Sequence, residues 1–355
     1  MEFNFSEDQE LLCSTVRDFL QAECTPEQIR ALWETDTGRS DSFWMRFAEM
    51  GVPGLMVPEE AGGLGLDDRD MVLVLEETGR FGLAEPIVSI AAGVPLLVAI
   101  GQEGQPELAE KWLSEVASGR AKLAIEHPRS PFVSDAHVAD LLLLNAGDAI
   151  HAVPRAEVKL IAQPANDQSQ RLFSVEWTPT QATLVAQGET AQRLQEEAFD
   201  RGAMACASQQ LGVAQQLIDL GAGYAAQRKQ FGVAVGSFQA VKHRLANAKV
   251  KAEYARSVVY RAAHSVALKT SARSVDVSMA KVAAGEAALF AAKESLQVHG
   301  AIGYTYEQDL HIWMKRAWSL DLAFGSGAWH RARIADAVID QERPAETFGY
   351  SGPNH

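Results

Sequence analysis

The chain has little cysteine, and what it has is scattered. Its three cysteines are Cys13, Cys24 and Cys206, an odd number with long intervals between them. This spacing provides neither a disulfide framework nor the paired ligands of a zinc site. We therefore predict three buried, unpaired thiols.

Signals for membranes and for nucleic acids are also missing. The N-terminus, MEFNFSEDQELL, is acidic where a secretory signal is basic, and the longest apolar run, at 87–100, is too short to span a bilayer and contains Pro95. The formal net charge of −14 disfavours binding to phosphate backbones and anionic lipids, because that binding requires clustered Lys and Arg. These features predict a cytoplasmic protein with no nucleic-acid partner and no membrane insertion.

Several common catalytic motifs are absent from the sequence. It contains no His-Glu-x-x-His or Cys-x-x-Cys metal spacing, no Gly-x-Ser-x-Gly elbow and no P-loop. No metal site is therefore predicted. The late histidines His299, His311 and His330 are interpreted as structural or exposed.

The chain has 355 residues, of which 47% are hydrophobic. This length and composition are sufficient for a folded protein of one to three domains, each with its own core. Residues 1–118 show helical spacing that begins with a capping box at Ser6 and Gln9. Short apolar runs separated by turn residues at 119–188 predict a small β domain. Long Ala-rich helical patterns at 189–355 predict a helical bundle.

Two glycine-containing loops interrupt the C-terminal helices. In YAAQRKQFG, Arg228 stands close to a helix end and Gly232 can take the left-handed conformation that closes the helix. In QVHGAIGYT, Gly300 and Gly303 bracket Ala301, so the backbone can turn tightly and approach a neighbour. Both loops suit a ligand. The alternative interpretation is that these glycines only end helices.

Three segments together resemble the acyl-CoA dehydrogenase family over nearly the whole chain. The segments are GVPGLMVPEEAGGLGL with VLVLEETGR, then RKQFGVAVGSFQAVKHRLA, then QVHGAIGYTYEQDLHIWMKRA, in the order the family has them. The resemblance implies an α+β fold with an N-terminal helical domain, a small middle β domain and a C-terminal four-helix bundle. It also implies FAD as cofactor, an acyl-CoA substrate, an electron-transfer flavoprotein as acceptor, and assembly into dimers or tetramers.

The last two segments in this family hold the adenosine and pyrophosphate end of FAD from a neighbouring subunit. Arg228 offers a planar fork of donors to phosphate oxygens, and Gln297 offers donors and an acceptor beside a backbone loop. The further positions that match family contacts are Gln230, Phe231, Gln239 and Gly300. Ala301 stands where the family usually has a second glycine.

The catalytic base of the family is missing. Removal of the proton alpha to the thioester needs a carboxylate beside the flavin ring, and the resemblance places Gly325 at the position where most members have a glutamate. A minority place the base earlier, and there this chain has Gly202, with Asp200 two residues away. That offset is about 200° around a helix, so Asp200 should face elsewhere. Asp321, one turn before Gly325, is a further candidate.

The predicted middle domain is short and lacks the Gly-Ser-Asp run with which family members contact the flavin ring. Only Ser134 and Asp135 remain of that run.

Three hypotheses about function follow from the resemblance and from these departures. The first, which we favour, is a subunit that lacks the base and pairs with a catalytic acyl-CoA dehydrogenase subunit, as short members do in the bacterial breakdown of sterol side chains or other bulky thioesters. The second is a self-sufficient FAD-dependent dehydrogenase with a displaced base, and the third is a non-enzymatic scaffold on the same fold.

Overall fold

The N-terminal part of the chain is helical in the computed structural model, which describes residues 4–340. The Ser6–Gln9 capping box is present, as predicted, and opens the first helix. The helices are α1 (Glu7–Glu23), α2 (Pro26–Trp33), α3 (Asp41–Glu49), α4 (Asp68–Arg80), α5 (Ile87–Gln102) and α6 (Pro106–Ala117). Their apolar faces form one large core with the buried residues Trp44, Phe47 and Leu97.

The middle part consists of two small sheets. Their strands are β1 (Leu123–Ile125), β2 (Val133–Ser134), β3 (Leu141–Ala146), β4 (Ala149–Pro154), β5 (Lys159–Gln163), β6 (Leu172–Glu176) and β7 (Leu184–Gln187). The first sheet has the order β1-β3-β4-β7, with β1 parallel to β3 and the other pairs antiparallel, and the second has the antiparallel order β2-β6-β5. Because both faces of β3 are covered, its run from Leu141 to Leu144 is buried throughout.

The C-terminal part is a helical bundle with a small surface hairpin. Its elements are α7 (Gly188–Gln227), β8 (Lys229–Gln230), β9 (Val233–Ala234), α8 (Gln239–Ala267), α9 (Arg273–His299), α10 (Leu310–Leu322) and α11 (Gly327–Ala335). The predicted fold class, helical, then β, then helical, is confirmed. The domain boundaries remain predictions, and residues 341–355 of the predicted last domain lie outside the described residues.

Two glycines let α4 and α7 cross with their backbones in contact. A Cβ atom at Gly79 would lie 2.0 Å from the backbone oxygen of Gln209, and one at Gly212 would lie 1.9 Å from that of Glu76. No side chain fits at either position. This crossing fixes the N-terminal helices on the longest helix of the bundle.

Buried ion pairs attach the middle part to both helical parts. Arg39, which precedes α3, pairs with Asp135, and Arg316 of α10 donates from Nε to Oδ2 of Asp167 at 2.5 Å. The three cysteines are buried and unpaired, as predicted. In the stretch from 4 to 340, no helix combines the length and the apolar character needed to cross a bilayer.

Candidate functional site

The first candidate region lies where α7 ends. Arg228 is the C-cap of α7, and its guanidinium has no carboxylate or hydrogen-bond partner among the described residues. The β8–β9 hairpin turns at Phe231 and Gly232, whose φ angles are 52° and 83°. The ring of Phe231 is 93% exposed. A phenylalanine that is both in the left-handed region and uncovered is unfavourable by itself, so this turn fits a role in binding.

The second predicted loop lies beside this hairpin. The ring of Tyr224, one turn before the end of α7, stacks on that of His299 at the end of α9 with centroids 4.4 Å apart. Gln297 is exposed on the last turn of α9, and Gly300 follows with φ 65° and no atom within 4 Å of an added Cβ. The ends of α7 and α9 therefore present their polar groups on one side of the bundle.

We call this region the hairpin surface. Its members are the predicted cofactor-binding residues Arg228, Gln230, Phe231, Gln239, Gln297, Gly300 and Ala301, of which all but the half-buried Gly300 are exposed. An unpaired guanidinium, three amide side chains and an open aromatic ring are the groups that phosphate oxygens and an adenine ring require. These residues fit the adenosine and phosphate end of a dinucleotide.

A second candidate region is a cavity of about 370 Å³ where the three parts of the chain meet. The N-terminal part contributes Arg39, Glu85 and Ser89 to its wall, the middle part contributes His127, Ser134 and Asp135, and the bundle contributes Phe199, Cys206, Gln209, Phe324 and Gly325. The volume is in the range of small-molecule sites. The Ser134–Asp135 pair, identified from sequence as a remnant, thus lies in the wall of this cavity.

The turn that contains Gly325 is held by two buried side chains. Lys281 of α9 donates from Nζ to the backbone oxygens of Asp321 at 2.9 Å and Gly325 at 3.2 Å. His330 lies 2.9 Å from the backbone oxygen of Phe324 through Nε2, and 3.0 Å from the hydroxyl of Ser278 through Nδ1. Three of these contacts hold the backbone of the turn, and the fourth, to Ser278, holds the His330 ring.

Burial acts on the pKa of both holding groups in the same direction. It lowers the pKa of Lys281 and lowers the pKa of His330 to about 4. The neutral His330 ring must therefore carry its proton on Nε2, so that it donates to the Phe324 carbonyl and accepts from Ser278. The turn is thus held by a specific tautomer.

The two positions at which the resemblance places a base, Gly325 in this turn and Gly202 on α7, leave no room for a side chain. Gly325 has φ 94°, and a Cβ there would lie 2.9 Å from His330 Nε2 and 2.9 Å from Trp329 Cε3. At Gly202 a Cβ would lie 2.2 Å from Cε1 of Phe324. The Phe324 ring therefore occupies the space that a side chain at Gly202 would enter. Sequence reasoning missed Phe324, because nothing before the fold is known places it against a helix more than a hundred residues earlier.

The two aspartates considered as displaced bases are directed elsewhere. Oδ1 of Asp321 lies 2.6 Å from the position of a Cβ on Gly285 of α9, and Asp321 is not part of the cavity wall. Asp200 is fully buried and accepts hydrogen bonds from Arg273 at 2.8 Å, Ser274 at 2.8 Å and Arg333 at 2.7 Å. Neither presents a free carboxylate to the cavity.

The carboxylates that do line the cavity are Asp135, paired with Arg39, and Glu85. Oε1 of Glu85 accepts from the backbone NH of Ser40 at 2.8 Å, while its Oε2 has no partner among the described residues. Burial raises the pKa of Glu85 to about 7, although Arg39 and Lys122 act in the opposite direction. Sequence reasoning missed Glu85, since a Glu before a Pro in an apolar stretch carries no motif.

Comparisons with known proteins agree with this architecture. Residues 6–120 match the family described as acyl-CoA dehydrogenase, N-terminal domain, and residues 192–339 match acyl-CoA dehydrogenase, C-terminal domain. The acyl-CoA dehydrogenase IpdE2 of Mycolicibacterium smegmatis is 31% identical, over 88% of this chain and 93% of its own length. The caffeyl-CoA reductase-Etf complex subunit CarC of Acetobacterium woodii is 28% identical, over 85% of this chain and 90% of its own.

A solved structure also matches over almost the full length. The ChsE4-ChsE5 complex from Mycobacterium tuberculosis contains a chain with a TM-score of 0.85 and 26% identity, covering 97% of this chain and 100% of that one. The fold and the matched domains together define a flavoprotein of the acyl-CoA dehydrogenase type. The chain belongs to the acyl-CoA dehydrogenase family, whose members are FAD-dependent oxidoreductases.

Proposed function

We propose that this chain is the subunit without a base in a heteromeric, FAD-dependent acyl-CoA dehydrogenase. The observation that carries the proposal is the closure of both base positions: Gly325 and Gly202 have no carboxylate, and Phe324 fills the space between the turn and α7. The hairpin surface, by contrast, is open, and its guanidinium has no partner within residues 4–340. The chain therefore has groups for binding a cofactor and lacks the group for removing a proton.

The proposed division of chemistry follows from these residues. FAD, when bound, supplies the acceptor for the hydride that leaves the β carbon of the acyl group. Arg228 would donate hydrogen bonds to the pyrophosphate oxygens of FAD from a neighbouring subunit, and Gln297 would orient its adenosine end. The partner subunit supplies the carboxylate that takes the α proton.

The similarity to IpdE2 and to a chain of the ChsE4-ChsE5 complex supports a partner-type role, because the latter structure is a complex of two different proteins. The substrate class proposed is a bulky acyl-CoA thioester, as in sterol side-chain breakdown. The electron acceptor proposed is an electron-transfer flavoprotein, and the location proposed is the cytoplasm.

The test is co-purification with candidate partner dehydrogenases, followed by flavin absorbance spectra of the lone chain and of the complex. We expect flavin and acyl-CoA oxidation in the complex and neither in the lone chain. A lone chain that holds about one flavin and oxidises acyl-CoA, with Asp321→Asn removing that activity, would support the self-sufficient alternative instead. Absence of flavin from every complex would support the scaffold.

A further inference from the structure

One part of the cavity wall is polar and is assembled from distant segments. Arg39 precedes α3, Glu85 lies between α4 and α5, and Asp135 follows β2. Arg39 pairs with Asp135, and Glu85 accepts from the backbone NH of the next residue, Ser40, at 2.8 Å. We call these three residues the polar wall. Asp135 adopts φ 60°, an uncommon conformation for a non-glycine residue, so this arrangement is held by its surroundings.

The polar wall contains hydrogen-bonding atoms without partners. Oε2 of Glu85 and Nε of Arg39 are both buried and unbonded among residues 4–340. Only about 5% of Glu85 and 6% of Arg39 is exposed. A buried polar atom without a partner is destabilising, so such atoms beside a cavity point to a ligand group that completes their hydrogen bonds.

The charges around Glu85 determine which kind of group fits. The groups that face it are Arg39, Lys122, Asp135 and Cys24. Arg39 is neutralised by Asp135, Lys122 is bonded to Asp41 at 2.8 Å, and burial raises the pKa of the Cys24 thiol to about 12. Among these groups, therefore, no unpaired cation faces Glu85; the guanidinium of the cavity wall that has no ion pair within residues 4–340, that of the exposed Arg129, lies over the rings of Phe199 and Trp329. With Glu85 protonated the cluster is neutral, and its carboxyl group can donate a hydrogen bond to a neutral oxygen.

We propose that Glu85 is a specificity-determining residue that recognises a neutral oxygen, such as a ketone, on the acyl group of a ligand in this cavity. The cavity of about 370 Å³ has room for about twelve groups of the size of water, which suits a compact ring carrying one oxygen. The inference rests on the proposed function only in taking an acyl-CoA thioester as the ligand. It adds the chemistry of the acyl group and a residue that selects it.

The test compares two thioesters by isothermal titration calorimetry on the full chain. One is cyclohexanecarbonyl-CoA, and the other carries a ketone at the ring carbon farthest from the thioester. We expect the wild type to bind the ketone about two- to tenfold more tightly, as one neutral hydrogen bond provides. Glu85→Leu should bind both equally, while Glu85→Gln, which keeps an acceptor for Ser40 and a donor, should retain the preference.

The pH dependence separates a donating carboxyl from a merely polar surface. With a pKa of about 7, the wild-type preference should be present about one pH unit below that value and lost about one unit above it, because ionised Glu85 repels a carbonyl oxygen. Glu85→Gln should show the preference at both pH values. Glu60→Gln, at an exposed position outside the wall, is the matched control and should behave as wild type.

Equal binding of the two thioesters by the wild type at both pH values would overturn the inference, as would failure of both to bind. A preference that persists in Glu85→Leu would assign the oxygen to another residue and would also overturn it. Thermal melts show whether each variant is folded. If Glu85→Leu is unfolded, the pH dependence of Glu85→Gln against that of the wild type decides the inference. The proposed function is judged separately, by flavin occupancy of the complex.

Discussion

Two turns of this chain share the sequence Phe-Gly and have similar φ angles, but one turn is exposed and the other is enclosed by the protein. Phe231–Gly232 and Phe324–Gly325 both place a phenylalanine at φ 52° before a glycine in the left-handed region. In the hairpin surface the ring of Phe231 is exposed and the glycine has open space around it. In the other turn the ring of Phe324 packs on Gly202 and the glycine is enclosed by His330 and Trp329.

The two turns differ in the contacts that can offset the backbone strain of a phenylalanine with positive φ. A non-glycine residue in this conformation costs about 1–2 kcal/mol. Around Phe324 the offset is internal, from Lys281, His330 and the packing of the ring. Around Phe231 the support within the described residues is smaller, an edge-on contact with the ring of Phe238 at 6.3 Å between centroids and the pairing of β8 with β9, which leaves most of the ring open to a ligand or another chain.

The largest expected effect is on the free energy of unfolding when each of the two phenylalanines is replaced by alanine. Phe324→Ala should lower the free energy of unfolding by about 3 kcal/mol, because the ring packs against three apolar clusters. Phe231→Ala should change it by no more than about 0.5 kcal/mol. Urea denaturation at one fixed protein concentration measures both. Equal losses in the two variants would contradict the comparison.

The next effect concerns the open turn. Arg228→Ala, or Gln297→Ala, should lower flavin affinity in the complex by about one to two orders of magnitude, since a hydrogen bond to a charged group contributes about 1.5–3 kcal/mol. Flavin absorbance per complex after gel filtration measures the loss. Lys242→Ala, an exposed cation four residues after Phe238, is a suitable control. Unchanged occupancy in both variants would place the adenosine end elsewhere.

The smallest expected effect is that adding a carboxylate at Gly325 produces no enzymatic activity. A positioned base contributes about 10²- to 10⁴-fold to the rate, yet Gly325→Glu in the lone chain should produce no acyl-CoA oxidation. Its φ of 94° and the atoms of His330 and Trp329 at 2.9 Å leave no place for the new side chain. Gly325→Ala controls for the steric change. Dye reduction with acyl-CoA by Gly325→Glu alone would show that only the base was missing.

The sequence was sufficient for the fold because its evidence is local or carried by long motifs. The capping box at Ser6, the run of short strands and the Ala-rich helices each follow from neighbouring residues. The roles of Arg228 and Gln297 stay predictions, although the structure places both on one surface. Motif position alone led to them, and the exposure of their side chains came only from the structure.

The rest of the site depends on contacts between residues far apart in the chain. Glu85 has its neighbours Arg39 and Asp135 more than forty residues away on either side, and its raised pKa arises only when these segments enclose it. Lys281 is equally remote from the turn it holds. The two Phe-Gly pairs could not be distinguished in advance, since their difference lies in what packs around them.

The length of α7 has a consequence for how ligands can be shared. Gln209 lines the cavity on this helix and Arg228 caps its end, and the nineteen steps from one residue to the other, at a rise of 1.5 Å each, correspond to about 28 Å. A rigid helix holds the two regions at that separation. A small molecule enclosed by this chain's cavity cannot also reach Arg228 along that path. If both regions bind ligands as proposed, they are far enough apart to bind two different molecules at once.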